Sequence, residues 1–373
     1  MILLFDFPSL YDMFHSVTNI LSSLKDIDGK LRTLDGAAPC LPLQYAVGNS
    51  AVVCRVRYQD QDFAMKCYTS QLKNLELIYG EKAYREELSI YGGSDDIAWA
   101  DVVMLPWIEG ETLHHRLRSA NRAELKRLSQ AFDTLALEML LSPKAHGDVK
   151  GENIIVDRYG ALHLIDLDRA FLPELSGKLS PGLGSSGFQH PLRLAEHFDR
   201  DIDDYSLALI SATLRTLAAE EEIKIENPDG TLFDPAEILS GRSATWRRAL
   251  ECAARRGDGV TYRLLLALNG KSYKIAGLRS LLTPIAGHND PATLCFSSGG
   301  YIDSSGRQII PEIFDNGMHF EDSLAAVSLA GHWHYINSQG SAVKYIGKCE
   351  AIRPPSHGVG YSMLGGIWRQ HRY

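Results

Sequence analysis

The sequence has few cysteines, and the six present are scattered along its 373 residues. None of them forms a C-x-x-C pair or another metal-ligand spacing, so the common zinc sites are not expected. Free thiols in a reducing compartment are the simplest interpretation. A block of basic residues is also lacking, since 38 Lys and Arg stand against 46 Asp and Glu for a net charge of −8. This balance argues against a partner that is a nucleic acid or an anionic membrane.

Long apolar runs are absent as well. No run approaches the roughly 18 residues that a membrane helix needs, and the most apolar stretch, "LALISATLRTLAA", is interrupted by Arg215. The first residues, "MILLFDFPSL", have no basic residue before their apolar run and reach Asp6 at once, so they do not predict a signal peptide. Together these absences predict a cytoplasmic protein.

Helical and strand-like patterns alternate in the first third of the sequence. Residues 11–26 carry apolar residues at helical spacing. From residue 43 onward the pattern predicts two strands around the polar turn "QDQD". Residues 70–91 are predicted to form a helix that stops at Gly92-Gly93, and residues 100–108 a short buried strand.

Further along, helices are predicted over residues 111–117 and 123–140. A hairpin follows, with strands "NIIV" and "LHLI" joined by the turn "DRYG", and then a Gly/Ser-rich loop, "LSGKLSPGLGSSGF". Residues 201–282 are mostly helical in pattern. Because strands come first and helices second, the order predicts an α+β fold rather than a doubly wound sheet.

After about Pro284 the sequence repeats itself. "GGYIDSSGRQII" matches "WHYINSQGSAV", so that Tyr301 and Tyr335 lie 34 residues apart. A fainter copy, "YSMLGGIW", matches "AVSLAGHW" at an offset of 35. Repeats of this length indicate stacked supersecondary units, and the composition makes them β-rich. The change of composition near residue 284 favours a separately packed tail that recruits a partner, and a tail that buttresses the helical lobe is the alternative.

The stretch "HGDVKGENIIVDRYGALHLIDLD" carries the clearest chemical pattern. Asp148 and Asn153 lie in the loop that enters the predicted hairpin, and Asp166 stands at its exit. Antiparallel pairing brings the two ends of a hairpin together, so these three side chains should converge. Two carboxylates and an amide oxygen are ligands suited to a hard cation such as Mg²⁺.

The spacing H-x-D-x-K-x-x-N, followed by apolar-Ile-Asp, resembles the catalytic loop H-R-D-x-x-x-x-N and the D-F-G motif of the protein-kinase superfamily. The resemblance implies that Asp148 accepts the proton of the substrate hydroxyl, and that Asn153 and Asp166 hold Mg²⁺. Lys150 stands where serine/threonine kinases place a lysine that meets the γ-phosphate.

Upstream, "FAMK" resembles V-A-I-K, which implies that Lys66 meets the α- and β-phosphates of ATP. "AVGNSAVV" occupies the place of the Gly-rich loop, and "MLPWIEGETL" resembles the hinge that contacts the adenine. Proline at position 106 removes one backbone N–H donor there. The cofactor-binding residues implied are Ala46, Gly48, Ala51, Val53, Ala64, Lys66, Leu105, Trp107 and Ile108.

A helix glutamate should pair with Lys66 in this family. Glu87 fits best, within "YREELSIY", and Glu81 and Glu86 stay open. Downstream, "GFQHP" resembles the end of the activation segment, and "DIDDYSLA" makes Asp203 the buried acid that steadies the catalytic loop.

Two positions depart from the kinase pattern. Gly147 replaces the arginine of H-R-D, which typically pairs with a phosphate on the activation loop, and Asp168 replaces the glycine of D-F-G. The whole resembles a bacterial branch of kinase-like proteins whose C-terminal tail consists of WG repeats, thought of as interaction modules. Trp333 is in place for such a repeat, and His334 stands where its glycine is usual.

These patterns predict an α+β chain with a bilobal, protein-kinase-like fold and a small β-rich repeat domain. The boundaries expected are 1–36 for a helical extension, 37–108 for the small lobe, 109–284 for the helical lobe and 285–373 for the repeats. The activity implied is an ATP- and Mg²⁺-dependent protein kinase, serine/threonine-specific, with a protein substrate and a protein partner for the tail. A small-molecule phosphotransferase related to aminoglycoside and choline kinases and a pseudokinase scaffold are the alternatives.

Overall fold

The computed structural model describes residues 15–91, 97–227, 230–285 and 289–373. The predicted helix stop at Gly92-Gly93 and the first residues of the helix predicted over 11–26 lie outside these ranges. The chain divides into two compact units, residues 1–109 and 110–373. Helices and strands are mixed through the chain, so the α+β class predicted from the sequence is confirmed.

The first unit is an antiparallel sheet of six strands with one helix against it. The helix, α1, begins after Ser16, whose hydroxyl accepts a hydrogen bond from Asn19 N. In the sheet the strands follow the order β1-β3-β4-β6-β5, and β2 pairs with residues 52–54 of β3, on the same edge as β1. The elements are α1 (Val17–Lys25), β1 (Ala38–Pro39), β2 (Tyr45–Val47), β3 (Ala51–Tyr58), β4 (Gln61–Tyr68), α2 (Leu75–Tyr79), β5 (Ala83–Tyr91) and β6 (Ile97–Pro106).

The helix predicted over residues 70–91 is wrong for most of its length. Helix α2 is short, a 3₁₀ turn follows it, and residues 83–91 form strand β5. Leu88 and Ile90 are both fully buried, and Glu87 and Ser89 are buried as well, so both faces of this part of the strand are covered. Strand β5 pairs with β6 on one side and hydrogen-bonds through Glu87 O and Ser89 N to residues 30–32 on the other. These non-local hydrogen bonds override the helical propensity of the sequence.

The second unit begins with a three-stranded sheet and a group of helices. Its central helix, α5, has almost every side chain buried and packs against α4 and α8. Within the described ranges, no helix is both long and apolar enough to cross a membrane. The elements are β7 (Gly110–Thr112), α3 (Leu113–Leu117), α4 (Arg122–Leu141), β8 (Ile154–Asp157), β9 (Leu162–Leu164), α5 (Asp204–Ala219), α6 (Pro235–Leu239), α7 (Ala244–Arg256), α8 (Gly259–Leu268) and α9 (Leu278–Leu282).

The tail consists of three small antiparallel sheets. Strands β10–β12 form the first, β13–β16 the second and β17–β19 the third, each in sequence order. Tyr301 and Tyr335 lie on β11 and β15 and are both fully buried, so the repeated tyrosine has the same place in two sheets. The strands are β10 (Cys295–Ser297), β11 (Gly300–Ile302), β12 (Gln308–Ile310), β13 (Asn316–Gly317), β14 (Ala325–Leu329), β15 (His332–Ile336), β16 (Ala342–Gly347), β17 (Ala351–Ser356), β18 (Val359–Leu364) and β19 (Ile367–Arg372).

The tail packs directly on the helices of the same unit. The buried side chain of Ile313 belongs to a cluster that includes Val260 of α8. His334 hydrogen-bonds through Nε2 to the carbonyl oxygen of Arg255, at 3.1 Å, and Arg263 pairs with Asp315 at 2.9 Å. The helices and the tail therefore share apolar and polar contacts.

Gly257 provides a test of this packing. It ends α7 with φ +69°, and a Cβ there would lie 2.9 Å from the His334 ring. We expect Gly257→Ala to lower the free energy of unfolding by about 3 kcal/mol, from left-handed strain and overpacking together. Gly277 also has a positive φ but open space around it, so Gly277→Ala should cost about 1 kcal/mol. If urea unfolding gives the same loss of unfolding free energy for both variants, the tail is not tightly packed against α7.

Candidate functional site

The two ends of the β8–β9 hairpin meet, as the sequence predicts. Ile165 N, just after β9, donates to the carbonyl oxygen of Asn153, just before β8, at 2.9 Å. Further out, Ala145 and Phe171 exchange backbone hydrogen bonds of 3.0 and 2.9 Å. The entry loop, residues 145–153, and the exit segment, residues 165–171, therefore run side by side.

Asp148 is at the centre of this arrangement. Its carboxylate is buried, and Oδ1 accepts a hydrogen bond of 2.8 Å from Ser185 N. Oδ2 lies 3.6 Å from Lys150 Nζ and 3.4 Å from an Arg169 nitrogen. Lys150 Nζ in turn donates to the hydroxyl oxygen of Ser185 at 2.9 Å. Asp148 and Lys150 thus both contact Ser185, the carboxylate through the backbone N–H and the ammonium group through the hydroxyl oxygen.

The backbone that carries Asp148 is held by Asp203. This carboxylate is buried at the start of α5 and accepts hydrogen bonds from the backbone N–H groups of His146 and Gly147. Burial raises the pKa of Asp203, and the two N–H donors and nearby positive charge oppose that rise. The role predicted for Asp203 from the sequence agrees with these contacts.

His146 fixes the same loop through its ring. Nε2 lies 2.8 Å from the carbonyl oxygen of Ile165, and Nδ1 lies 3.3 Å from Asp148 N. The Ile165 carbonyl oxygen accepts a hydrogen bond, so Nε2 must donate it, and the Asp148 N–H donates one, so Nδ1 must accept it. These contacts select the neutral imidazole with its proton on Nε2. The ring therefore connects the entry loop with the exit segment.

Gly147 must be glycine in this conformation. Its φ is +81°, and a Cβ would lie 2.1 Å from the carbonyl oxygen of Arg169. Such a distance is far below van der Waals contact, and the opposing atom is backbone that cannot rotate away. An arginine at position 147 would therefore not fit this loop conformation.

A segment from Ser180 to Arg193 passes over the entry loop and is held by the buried side chain of Arg193. One guanidinium nitrogen bonds Gln189 Oε1 at 2.5 Å and the carbonyl oxygens of Leu183 and Gly147 at 3.3 and 3.5 Å. The other lies 3.4 Å from the Ser180 hydroxyl. Arg193 therefore ties both ends of the segment to the entry loop without any phosphate.

The predicted Mg²⁺ ligands have suitable chemistry. Asn153 is buried, and its Nδ2 donates to the carbonyl oxygen of Asp148 at 2.9 Å, which leaves its side-chain oxygen as the ligand atom. Asp166 follows Ile165 directly and has φ +68°. Among the described residues, no group of three or more His, Cys, Asp or Glu side chains is arranged to hold a metal. Any cation here would rely on the asparagine oxygen and on phosphate oxygens in addition to carboxylate.

In the first unit, most of the predicted cofactor-binding residues share one face of the sheet. Val53 pairs with both Ala46 and Lys66, and Ala64 pairs with Leu105. Since alternate residues point to opposite faces, these five side chains and Ala51 lie on the same face. The opposite face forms the core, with Val52, Cys54, Val56, Met65, Cys67, Val102 and Met104.

Lys66 is the charged residue in this row. Its side chain is buried, and its ammonium group lies 5.2 Å from the centre of the Tyr68 ring, two residues along the same strand. Gly48 lies in the turn between β2 and β3, where its N–H donates to Ala51 O at 2.9 Å. The face thus presents small and apolar side chains around one lysine.

The predicted hinge offers fewer donors than expected. Trp107 N donates to the carbonyl oxygen of Asp62 at 2.9 Å, and Pro106 has no N–H. The Trp107 ring lies beside the guanidinium of Arg55, at 5.1 Å from its centre. The adenine contact expected of Leu105, Trp107 and Ile108 stays a prediction.

Glu87 lies on β5 and not on a helix, which corrects its predicted setting. Its carboxylate accepts three hydrogen bonds of 2.7 Å, from Thr33 N, Thr33 Oγ1 and Leu34 N. Glu86 pairs with Arg32 at 3.1 Å, and Glu81 lies in the 3₁₀ turn before β5. The described contacts of Glu87 hold the segment around Thr33 against the sheet, and its pairing with Lys66 stays a prediction.

Three residues of the site carried no role in the sequence analysis. Arg169 pairs with Asp148, Ser185 bonds both Asp148 and Lys150, and Arg193 braces the segment above them. The Gly/Ser-rich composition around Ser185 indicated only a loop. Arg193 was the one of these residues that the sequence could have indicated. It lies two residues after Pro191, the end of the motif "GFQHP", and a charged residue there is a candidate for holding that motif in place.

Comparison with known proteins adds no relative. A scan against models of protein families finds no match, and a search of curated proteins finds no similar sequence. The resemblance to protein kinases therefore rests on the sequence motifs alone.

Asp203→Asn tests whether the entry loop depends on this buried carboxylate. An amide has one acceptor oxygen, and its NH₂ group would face one of the two backbone N–H donors. We expect the free energy of unfolding to fall by about 2–3 kcal/mol. The exposed Asp35→Asn is the matched control and should change stability by less than about 0.5 kcal/mol. Similar unfolding curves for the two variants would contradict the bracing role of Asp203.

Proposed function

We propose that this chain is an ATP- and Mg²⁺-dependent protein kinase that transfers a phosphoryl group to a serine or threonine hydroxyl. The same proposal takes residues 37–108 and 109–284 as the two lobes of a kinase-like fold, and residues 285–373 as a tail of WG repeats that binds a protein partner.

One observation carries the proposal. The Asp148 carboxylate and the Lys150 ammonium group both contact Ser185, the carboxylate through the backbone N–H and the lysine through the hydroxyl oxygen. A carboxylate within reach of a hydroxyl can orient it and accept its proton, and an ammonium group beside the same oxygen can neutralise an incoming phosphoryl group. These are the two tasks that transfer to a hydroxyl requires of the protein.

The proposed roles follow residue by residue. Asp148 orients the acceptor hydroxyl and takes its proton, and Lys150 faces the transferred phosphoryl oxygens. Arg169 contacts the same carboxylate oxygen of Asp148 as Lys150 does, at 3.4 Å. Asn153 and Asp166 supply oxygen atoms that suit Mg²⁺, which when bound would neutralise the negative charge of the phosphates.

ATP is assigned to the sheet face that carries Lys66. Small side chains at Ala51 and Ala64 leave room for a flat ring, and Val53 and Leu105 offer apolar contact for it. Lys66 supplies the positive charge that suits the α- and β-phosphates, and Ile108 N–H suits the edge of the adenine.

A small-molecule phosphotransferase is the alternative enzyme, because such enzymes share the H-G-D-x-x-x-x-N loop. The braced segment from Ser180 to Arg193 favours a peptide acceptor, since it forms an ordered surface beside Asp148 on which an extended chain can lie. A pseudokinase scaffold is the non-enzymatic alternative. The retention of Lys66, Asp148, Asn153 and Asp166 favours catalysis over it.

Transfer of γ-phosphate from labelled ATP is the direct test. The full-length chain should phosphorylate itself or a generic basic protein in the presence of Mg²⁺. Asp148→Asn keeps the size of the side chain and removes the proton acceptor, so the rate should fall about 10²–10⁴-fold. Asp35→Asn should keep the full rate. Phosphorylation of an aminoglycoside but of no protein would favour the alternative enzyme, and nucleotide binding without transfer would favour the scaffold.

Asp166 and Asp168 need separate variants, because both carboxylates stand near the metal position in sequence. Loss of transfer in Asp166→Asn with activity retained in Asp168→Asn supports the ligand assignment. The reverse result would move the metal to Asp168.

We also expect activity without prior phosphorylation of the segment. Arg193 already holds Ser180, Leu183 and Gln189 in place, and Gly147 has no side chain that could read a phosphate. Phosphatase-treated protein should therefore keep its initial rate. Arg193→Met, which removes the bonds but keeps the apolar stem, should lower the rate about tenfold or more by loosening the segment.

The outcome that contradicts this expectation is specific. It is a large loss of rate after phosphatase treatment, restored by incubation with ATP and mapped to Ser180, Ser185 or Ser186.

A further inference from the structure

Strand β19 has one free edge, in contrast to its counterparts in the repeat. The repeat aligns β11 with β15 at an offset of 34 residues and β15 with β19 at an offset of 35. Strand β11 lies between β10 and β12, and β15 lies between β14 and β16. Within the described chain, β19 pairs with β18 alone. The backbone N–H and C=O groups along its other side are oriented for one more strand.

Apolar side chains are exposed at the start of this strand. Ile367 is 67 % exposed and Trp368 is 42 % exposed. The register pairs Trp368 with Met363, and Arg353 stacks on the Trp368 ring at 4.5 Å. Adjacent exposed isoleucine and tryptophan side chains on an open strand edge are typical of a surface that binds a partner.

The other end of the strand is basic. Arg369 and Arg372 are exposed on opposite faces of β19. Residues 342–373 contain five Lys and Arg and one Glu, a net charge of +4 on a chain whose net charge is −8. That glutamate, Glu350, accepts hydrogen bonds from Gly365 N and Gly366 N in the turn between β18 and β19.

These arginines have no carboxylate partner in the part of the chain that the structure describes. The ion pairs of the tail involve other residues, such as Arg307 with Asp303 and His357 with Asp322. Positive charge on an edge strand ordinarily deters further pairing. The arginines would repel a strand that is also positively charged, and they would attract an acidic strand.

We propose that the open edge of β19 binds an extended acidic–aliphatic segment of a partner protein as an added antiparallel strand. It would take the position that β12 has beside β11 and β16 has beside β15, both of which are antiparallel. Antiparallel pairing sets acidic residues of the partner opposite Arg372 and Arg369, and aliphatic residues opposite Trp368 and Ile367. The proposal rests on the tail's proposed role in partner binding and is independent of phosphotransfer.

Two other occupants fit less well. A second copy of β19 would bring arginines opposite arginines, which is repulsive. A nucleic acid would meet few positive charges on a chain of net charge −8, and it has no backbone amide pattern to match a strand edge. An acidic protein segment satisfies both the charges and the hydrogen-bonding edge.

The test uses the full-length chain and a fluorescent peptide in which Glu-Thr-Thr-Glu-Val-Val is flanked by glycine and serine. This order matches an antiparallel strand that runs from Arg372 to Ile367. The reversed sequence, Val-Val-Glu-Thr-Thr-Glu, has the same composition and charge and serves as the control. We expect the forward peptide to bind at least about fivefold more tightly by anisotropy, with binding weakened by salt, and to slow hydrogen exchange of residues 367–372.

Variants of the protein locate the site. Arg369→Glu/Arg372→Glu should weaken the forward peptide at least about tenfold. Arg127→Glu, an exposed arginine on α4, controls for overall charge and should bind normally. Asp148→Asn should also bind normally, so that failure of the proposed catalysis does not affect this result. Circular dichroism melting checks that each variant is folded.

Several results would overturn the proposal. Equal affinities of the two peptides would show that general electrostatic attraction explains the binding. If neither peptide binds, the proposed strand addition is wrong. Tighter binding of single-stranded DNA that the Arg369/Arg372 variant abolishes would assign the edge to nucleic acid. A dimer that Ile367→Arg dissociates would assign it to a second copy of this chain.

Discussion

The buried carboxylate of Asp203 determines the backbone from which the candidate site is built. The backbone N–H groups of His146 and Gly147 in the entry loop donate to it, and Gly147 itself adopts a left-handed conformation. With the loop fixed, Asp148 faces Lys150, Arg169 and Ser185, and Asn153 closes the loop on the carbonyl of Asp148. The buried charge of Asp203 thus fixes residues that are far apart in sequence. Almost no substitution at position 203 would preserve these contacts.

Arg193 supplies the second constraint. The buried guanidinium of Arg193 uses both of its terminal nitrogens on the segment that passes over Asp148, while its Nε has no hydrogen-bond partner among the described residues. The segment is therefore ordered by the interior of the unit and not by solvent-exposed contacts. Positive side chains at Lys150, Arg169 and Arg193 surround the entry loop, and this favours the binding of an anion such as a phosphoryl group in spite of the acidic chain.

Some of this arrangement could be predicted from the sequence, and some could not. The β8–β9 hairpin follows from a local turn, "DRYG", and the convergence of its ends follows from antiparallel geometry. The shared sheet face of Val53, Ala64 and Lys66 follows from strand alternation. Strand β5 was missed because its state depends on β6 and on residues 30–32, which local propensity does not register. The contacts of Ser185 with Asp148 and Lys150, and of Arg193 with Gly147, join residues more than 30 positions apart, and no local pattern encodes them.

Gly147 also limits how this loop can evolve. An arginine at that position would need both a different backbone φ and a displaced carbonyl at Arg169. A single substitution at position 147 is therefore incompatible with this loop, and any larger residue there requires a compensating change in the segment that carries Arg169.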